Sequence, residues 1–377
     1  MAETLPQADQ VLPSSIIQYN MMFDKFFKKE KPIFSGYRFG FGAAVGGADS
    51  SSPSEATGGN VIYTYGTKKI HVFTSPGTLS NASGSQIVAE YFLVGGGGSS
   101  AGDAGGGGGA GGVVTTIPGI MPVTATPLTL NNGTNVSVTI GDGGPAGGGA
   151  GQPDSPAYPG GRQGGNGEDT FFAGPAGNST RALGGGGGGA ESNTGPSNLP
   201  VTASSGGKGG SGGGARANIS GSANTPGLNN QGNTGNKSQG WLGGGPGGVA
   251  GGAGGGAGGS ASGVDGGVGV QLPSDYRDNT QPSSVKGDPG TYGGATAPTP
   301  GGWWFAGGGG AWTNNDYPVP TGVGGPSGQG GSGGGGQGGN APLPQAAQNG
   351  QANTGGGAGS DGSTGGSGIA FFSYPIA

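Results

Sequence analysis

The only histidine of this 377-residue chain, His71, stands in KKIHVF, and no acid or nucleophile lies near it in sequence. A Ser/His/Asp relay needs all three groups held in hydrogen-bonding reach, and nothing in the order of residues supplies them. His71 therefore reads as a half-buried structural residue of a strand. The carboxylates offer little more. Glu168-Asp169, and Asp275 with Asp278, are flanked by turn formers, which suits solvated loop charge better than a catalytic acid–base pair. With no cysteine, thiolate metal sites and disulfides are excluded. Gly-x-Gly-x-x-Gly matches arise by chance throughout, and none sits between a strand and a helix as a nucleotide site requires. The chain thus reads as a non-enzyme, with no catalytic, cofactor-binding or metal-ligating residue and no cofactor.

Aromatic loops are better placed to do chemistry, in this case recognition. GGWWFAGGGGAWTNNDYPVP carries Trp312 and Tyr317, and SDYRDNTQPSSVKGDPGTYGG carries Tyr276, Arg277 and Tyr292. Flat side chains beside Asn and Asp suit stacking on a sugar or anchoring on a protein. These five residues are the receptor-contact candidates. Trp303, Trp304 and Phe305 read instead as clamps on the glycine run that follows them.

A second candidate surface lies near the N-terminus. Ser15-x-x-Gln18 forms a capping box, and Ile16, Tyr19, Phe23, Phe26 and Phe27 follow at helical spacing until Pro32. Lysines 28, 29 and 31 fall at the helix end, where cations complement the dipole. The apolar face suits docking onto a partner protein better than a membrane surface, which its Phe and Lys faces would also fit.

What must position these residues is unusual. Glycine accounts for 104 residues and proline for 28, but runs such as GGGGGGA at 184–190 break the every-third-glycine rule of collagen. The net charge of −5 makes a poor nucleic-acid binder. No basic-then-apolar leader and no eighteen-residue apolar stretch is present, so neither a secretory signal nor a membrane span is expected.

The chain divides into four parts. Residues 1–45 form an attachment segment, the amphipathic helix followed by KPIFSGYRFGFG, where Tyr37, Phe39 and Phe41 alternate as on a strand. Residues 46–58 are a linker. Residues 59–140 form a β-framework: two strands around Gly66-Thr67, a strand at 87–94 apolar on both faces, and three shorter ones near 113, 128–130 and 136–140. Residues 141–377 form a glycine-rich body closed by a strand in GIAFFSYPI. One phrase recurs at irregular spacing, an apolar group followed at once by glycines: YFLVGGGG at 91, RALGGGGGG at 181, GWLGGGPGG at 240 and WWFAGGGG at 303.

Ordering a residue costs roughly 1–2 kcal/mol, and a backbone hydrogen bond returns about 0.5–1.5 kcal/mol net. An isolated glycine run is therefore marginal. Side-by-side packing of extended three-fold helices improves the balance, because backbones without Cβ atoms can approach and exchange hydrogen bonds. The expected fold is mostly β and irregular: a small β-framework, a body of packed polyglycine-II-like helices, and one short N-terminal α-helix.

In that order, VIYTYGTKKIHVFTSPGTL, VAEYFLVGGGG, SVTIGDGGPAG, RALGGGGGGA and GGSGIAFFSYP resemble the glycine-rich domain of bacteriophage tail-fibre and virion proteins, frequent in marine and cyanobacterial phages. The similarity covers roughly residues 58–377, and is close in style to polyglycine-II adhesins at fibre tips. It implies a virion structural protein, most simply a tail-fibre or adhesin component, with a capsid decoration protein as the alternative. It further implies docking on other virion proteins through Ile16, Tyr19, Phe23, Phe26 and Phe27, a trimeric assembly, and a glycan or protein receptor on the host.

Overall fold

A computed structural model describes residues 55–102, 105–121, 125–147, 163–174, 179–190, 206–215, 227–229, 231–235, 251–314, 327–341 and 346–376. All of them belong to one compact unit, residues 52–377. The helix expected over Ile16 to Phe27, the aromatic segment at 31–42, the phrase GWLGGGPGG and Tyr317 lie outside the described residues.

The described chain is strand and irregular structure, with three single-turn 3₁₀ segments. Gly66, at φ 59°, supplies the left-handed residue that lets β1 (Val61–Tyr65) turn back onto β2 (Lys68–Phe73). The six-stranded antiparallel sheet runs β1, β2, β14 (Ile369–Pro375), β4 (Ile87–Val94), β5 (Val113–Thr115), and β6 (Leu128–Leu130) pairs the start of β4. The C-terminal strand is thus central: Phe371 sits opposite Val72 on one side and Phe92 on the other. The β-framework and the glycine-rich segments share one sheet and one compact unit.

Period-two alternation sends β4 side chains to two cores. Ile87, Ala89, Tyr91 and Leu93 join Phe372, Phe172 and Val138 against a second sheet. That sheet is ordered β3 (Gly77–Ser80), β7 (Asn135–Thr139), β8 (Thr170–Ala173), β9 (Ser179–Ala182). Phe92 and Val94 point the other way, to Phe371, Phe305, Trp303 and Tyr276. Both cores are held by edge-on rings, among them Phe92 on Phe305 at 5.5 Å and Tyr91 on Phe172 at 5.1 Å. Val88 departs from the expected two-sided burial, being 52% exposed. It precedes the stretch of β4 that pairs with β14.

Beyond the sheet the glycine runs bond to one another. Gly95 and Gly98 donate to Gly112 and Gly109; Gly96 and Ser99 donate to Glu168 and Gly165; Gly97 and Ser100 donate to Gly366 and Ser363. Amides three residues apart thus address the same neighbour, and successive amides address different ones. The run 105–112 repeats this. Gly106, Gly109 and Gly112 donate to Gly189, Gly186 and Leu183, Gly107 and Ala110 to Gly252 and Gly255, and Gly108 and Gly111 to Ala358 and Gly355. Its carbonyls accept from Gly95, Gly98, Ser211, Gly214 and Gly309, so six segments bond to it. The spacing leaves no room for side chains: a Cβ on Gly108 would lie 2.0 Å from the carbonyl oxygen of Gly98.

Candidate functional site

Tyr276 does not lie on an exposed loop. The 3₁₀ turn Ser274–Tyr276 lays its ring, 0% exposed, on the sheet. The hydroxyl donates to Glu90 Oε2 at 2.6 Å and accepts from Lys68 Nζ at 3.2 Å and Ser373 Oγ at 2.7 Å. With both lone pairs and the proton engaged, it is fully satisfied. Burial first, then the hydrogen bond to Glu90, push its pKa up to about 12. Lys68 also reaches Glu90 at 3.0 Å and Asp275 at 2.8 Å. Partial burial alone would lower the ammonium's pKa, but its bonds to Asp275, Tyr276 and Glu90 outweigh that and raise it. Tyr276 is therefore withdrawn as a receptor contact: a side chain with no exposed surface cannot meet a partner.

The neighbouring candidates are held in related ways. Arg277 is partly exposed and its Nε donates to the carbonyl of Leu272. Tyr292 is half-buried, and its hydroxyl donates to the carbonyl of Asn349 at 3.1 Å. Its loop is pinned by Asp288, a fully buried carboxylate whose only local mark in the sequence is an Asp-Pro-Gly turn. Asp288 Oδ1 accepts from the amides of Gly290, Thr291 and Tyr292 at 2.8, 3.3 and 3.1 Å. Its Oδ2 accepts from those of Gly333 and Gly334 at 2.7 and 3.1 Å. One side chain thus ties two loops together through five amides.

Trp303, Trp304 and Phe305 are buried at the head of the run 306–311. Trp303 holds a left-handed φ of 61°, its Nε1 donates to Asn279 Oδ1 at 3.3 Å, and its carbonyl accepts from Leu272. It leads into β11 (Trp304–Phe305), which pairs with β10 (Val270–Gln271), while β12 (Thr313–Asn314) pairs in parallel with β13 (Asn340–Ala341).

Trp312 is in a different place. The runs starting at Gly95, Leu183 and Gly355 leave the sheet side together, as the bonds among Gly95, Gly112, Leu183, Gly111 and Gly355 show. At their far ends Gly251 donates to Trp312, and Asp361 and Gly362 donate to Ala101. Half-buried Trp312 and exposed Asp361 therefore stand at the end of the glycine body away from the sheet.

Other polar residues are tied into the fold. His71 is fully buried, stacked on Tyr374 at 5.7 Å, with Nδ1 2.6 Å from the carbonyl of Gly58. Burial holds its pKa below the usual 6.5. Asp169 is more than loop charge: it pairs with Arg181 at 2.8 Å, and its Oδ1 accepts from Gly184 at 2.8 Å. Three residues on, Gly187 donates to Asn166 Oδ1 at 2.9 Å, so side-chain oxygens stand in for backbone carbonyls along this run. Among the described residues no group of three or more acidic or histidine side chains is placed to hold a metal ion.

No protein-family model matches the chain, and no curated protein matches it.

Proposed function

We propose that this chain is a bacteriophage virion structural protein, a tail-fibre or adhesin component that projects recognition surfaces on a body of polyglycine-II-like helices. The observation that carries this is the hydrogen-bond repeat of the glycine runs. Amides at i and i+3 address one neighbour, as expected of a helix with three residues per turn, and six segments surround the run 105–112. Such packing supports a stiff projection whose ends present whatever side chains the chain carries there.

In this reading residues 1–45 attach the protein to other virion components, three copies assemble, and the outer surface meets a host receptor. Trp312, Arg277 and Tyr292 stay as contact candidates, and so does Tyr317. Labelling the protein on intact virions with a gold-conjugated antibody tests the assignment. Label at the tail is the expected outcome. Label over the head faces would overturn it and make the chain a capsid decoration protein.

A further inference from the structure

Outer strands of the two larger sheets are closed on their free sides by the chain itself. The Val113 amide of β5 donates to the carbonyl of Gln231 at 2.9 Å. Thr57 and Ser80 exchange both bonds along β3 at 2.9 Å. Beside β9, the Gln231 side chain donates to the carbonyl of Arg181 at 3.0 Å and accepts from Leu183 at 2.7 Å. β1 has no such cover among the described residues. The turn at Gly66 and Thr67 sets Tyr65 opposite Lys68, so the ladder bonds to β2 run through Tyr65, Tyr63 and Val61. Ile62 and Thr64 therefore turn their N–H and C=O groups outward, and among the described residues no backbone hydrogen bond reaches them there.

An open edge invites a further strand, and proteins ordinarily blunt one with a lysine, a proline or a bulge. VIYTY carries no charge and no proline. Asn60 does turn its amide back to Val72 at 2.7 Å, but that only marks where the edge ends; the open stretch runs from there to Gly66. Its side chains are as accessible as its backbone. Ile62 is 44% and Tyr65 36% exposed, and Thr64 between them is exposed too. Large exposed apolar side chains are few among the described residues, Val88 and Leu228 being the others, so two on one unpaired edge mark it as a contact surface.

We infer that β1 is an interface for a second copy of this chain, added as an antiparallel strand across a two-fold axis at Tyr63. The segment is complementary to itself in that register. Ile62 faces Thr64 of the second copy and Thr64 faces its Ile62, giving four hydrogen bonds that use each outward group once. Val61 faces Tyr65 of the second copy at either end. Every pair is thus β-branched or aromatic, and no charge meets its like. Shifting the pairing by two residues would bring the turn at Gly66 or the backbone at Asn60 into it, which fixes the register. A foreign strand would meet the same four groups; what favours a second copy is that each exposed side chain of VIYTY also finds a partner. The contact does not depend on the virion reading. It adds one constraint, that a two-fold edge joins copies in pairs, so three copies around one axis would be joined to three more.

Sedimentation of the full chain over roughly 1 to 100 μM tests this, a range suited to a short interface. The mass should double as concentration rises. Thr64→Pro removes only an outward amide, and Ile62→Lys sets a charge on the edge, so each should weaken association about ten-fold or more. Neither should change the melting temperature of the dilute protein. Val88→Lys, exposed but away from β1, should leave association intact; an equal loss there would make the contact nonspecific and overturn the proposal. Register is read separately. Val61→Cys combined with Tyr65→Cys, in a chain with no other cysteine, should link two copies under mild oxidation. The two positions lie roughly 13 Å apart along one strand, too far to join within a copy. Association that survives both edge variants, or no cross-link in a protein that associates, would overturn the proposal. A mass unchanged with concentration would do the same and leave the edge to a strand of another protein. Exchange protection of the Ile62 and Thr64 amides in the dilute chain would also overturn it, by placing another part of the same chain on the edge.

Discussion

Asp288 shows what a single side chain does in a body made largely of backbone. Its two oxygens take five amides from two loops and have no cation beside them among the described partners. Asp288→Ala would orphan all five donors in a dry site. The expected loss is about 3–5 kcal/mol, in the range for breaking a buried charged network, and a denaturant midpoint measures it. Asp288→Asn, with one acceptor oxygen in place of two, should fall between. Two other residues contribute to the pH dependence of stability. His71 is held neutral by burial, its pKa below 6.5, so the unfolded chain takes up a proton there before the folded one does. Stability should therefore fall as pH drops below 6.5. Tyr276 has the opposite sense. The folded phenol titrates near 12 against 10.0 when exposed, so its contribution is complete below pH 10 and lost between 10 and 12. That is worth on the order of 2–3 kcal/mol. Thermal unfolding across pH 5–12 should show a plateau bounded on both sides, and Tyr276→Phe should make the alkaline limb shallower without removing it, since burial also raises the phenols of Tyr63, Tyr91, Tyr292 and Tyr374.

At the scale of elements, the glycine run is the unit whose behaviour differs most from ordinary secondary structure. A strand has two bonding edges, whereas the run 105–112 bonds to six segments, because its amides address three neighbours in rotation and its carbonyls accept from three others. The methyl of Ala110 is tolerated in the same run, since it points into the apolar cluster with Ala257 and Ala306. Gly108 has no such outlet. Gly108→Ala must push the Gly98 carbonyl from 2.0 Å to normal contact, and should cost more than about 3 kcal/mol or prevent folding. Ala110→Gly should cost only about 1 kcal/mol, from one buried methyl and the looser unfolded chain. Equal effects of the two changes would mean that the runs are not close-packed. The strands were legible where apolar residues mark them. VIYTY, KKIHVF, IVAEYFLV and IAFFSYP mark β1, β2, β4 and β14, and the short apolar segments near 113, 128–130 and 136–140 mark β5, β6 and β7. β3, β8 and β9 were not singled out, because GTLS, TFFA and STRA are too short to show a period and stand among turn formers.

For the whole molecule the decisive element is the last one. β14 lies between β2 and β4, and its Phe371 and Phe372 enter the two cores on opposite faces of the sheet. Ending the chain at Gly368 should therefore abolish folding of the entire unit, not fray one end. Proton exchange of β2 and β4 amides in such a truncation would report it, and native-like protection there would contradict the topology.

Sequence alone determined that the chain is strand and glycine, that apolar groups head the glycine runs, and that Trp303 and Phe305 belong to those clamps. It also picked out Trp312, but set Tyr276 beside it as an equal, since both stand among loop formers. Burial separates them: one phenol closes a polar cluster on the sheet, and the indole reaches the far end of the body. Asp288 could not be found in advance, because an aspartate in one Asp-Pro-Gly turn carries no local signal that its carboxylate is buried. Which glycine run lies beside which was equally out of reach. Runs without side chains present identical backbones, so their pairing is fixed by where the strands and loops outside them deliver each end.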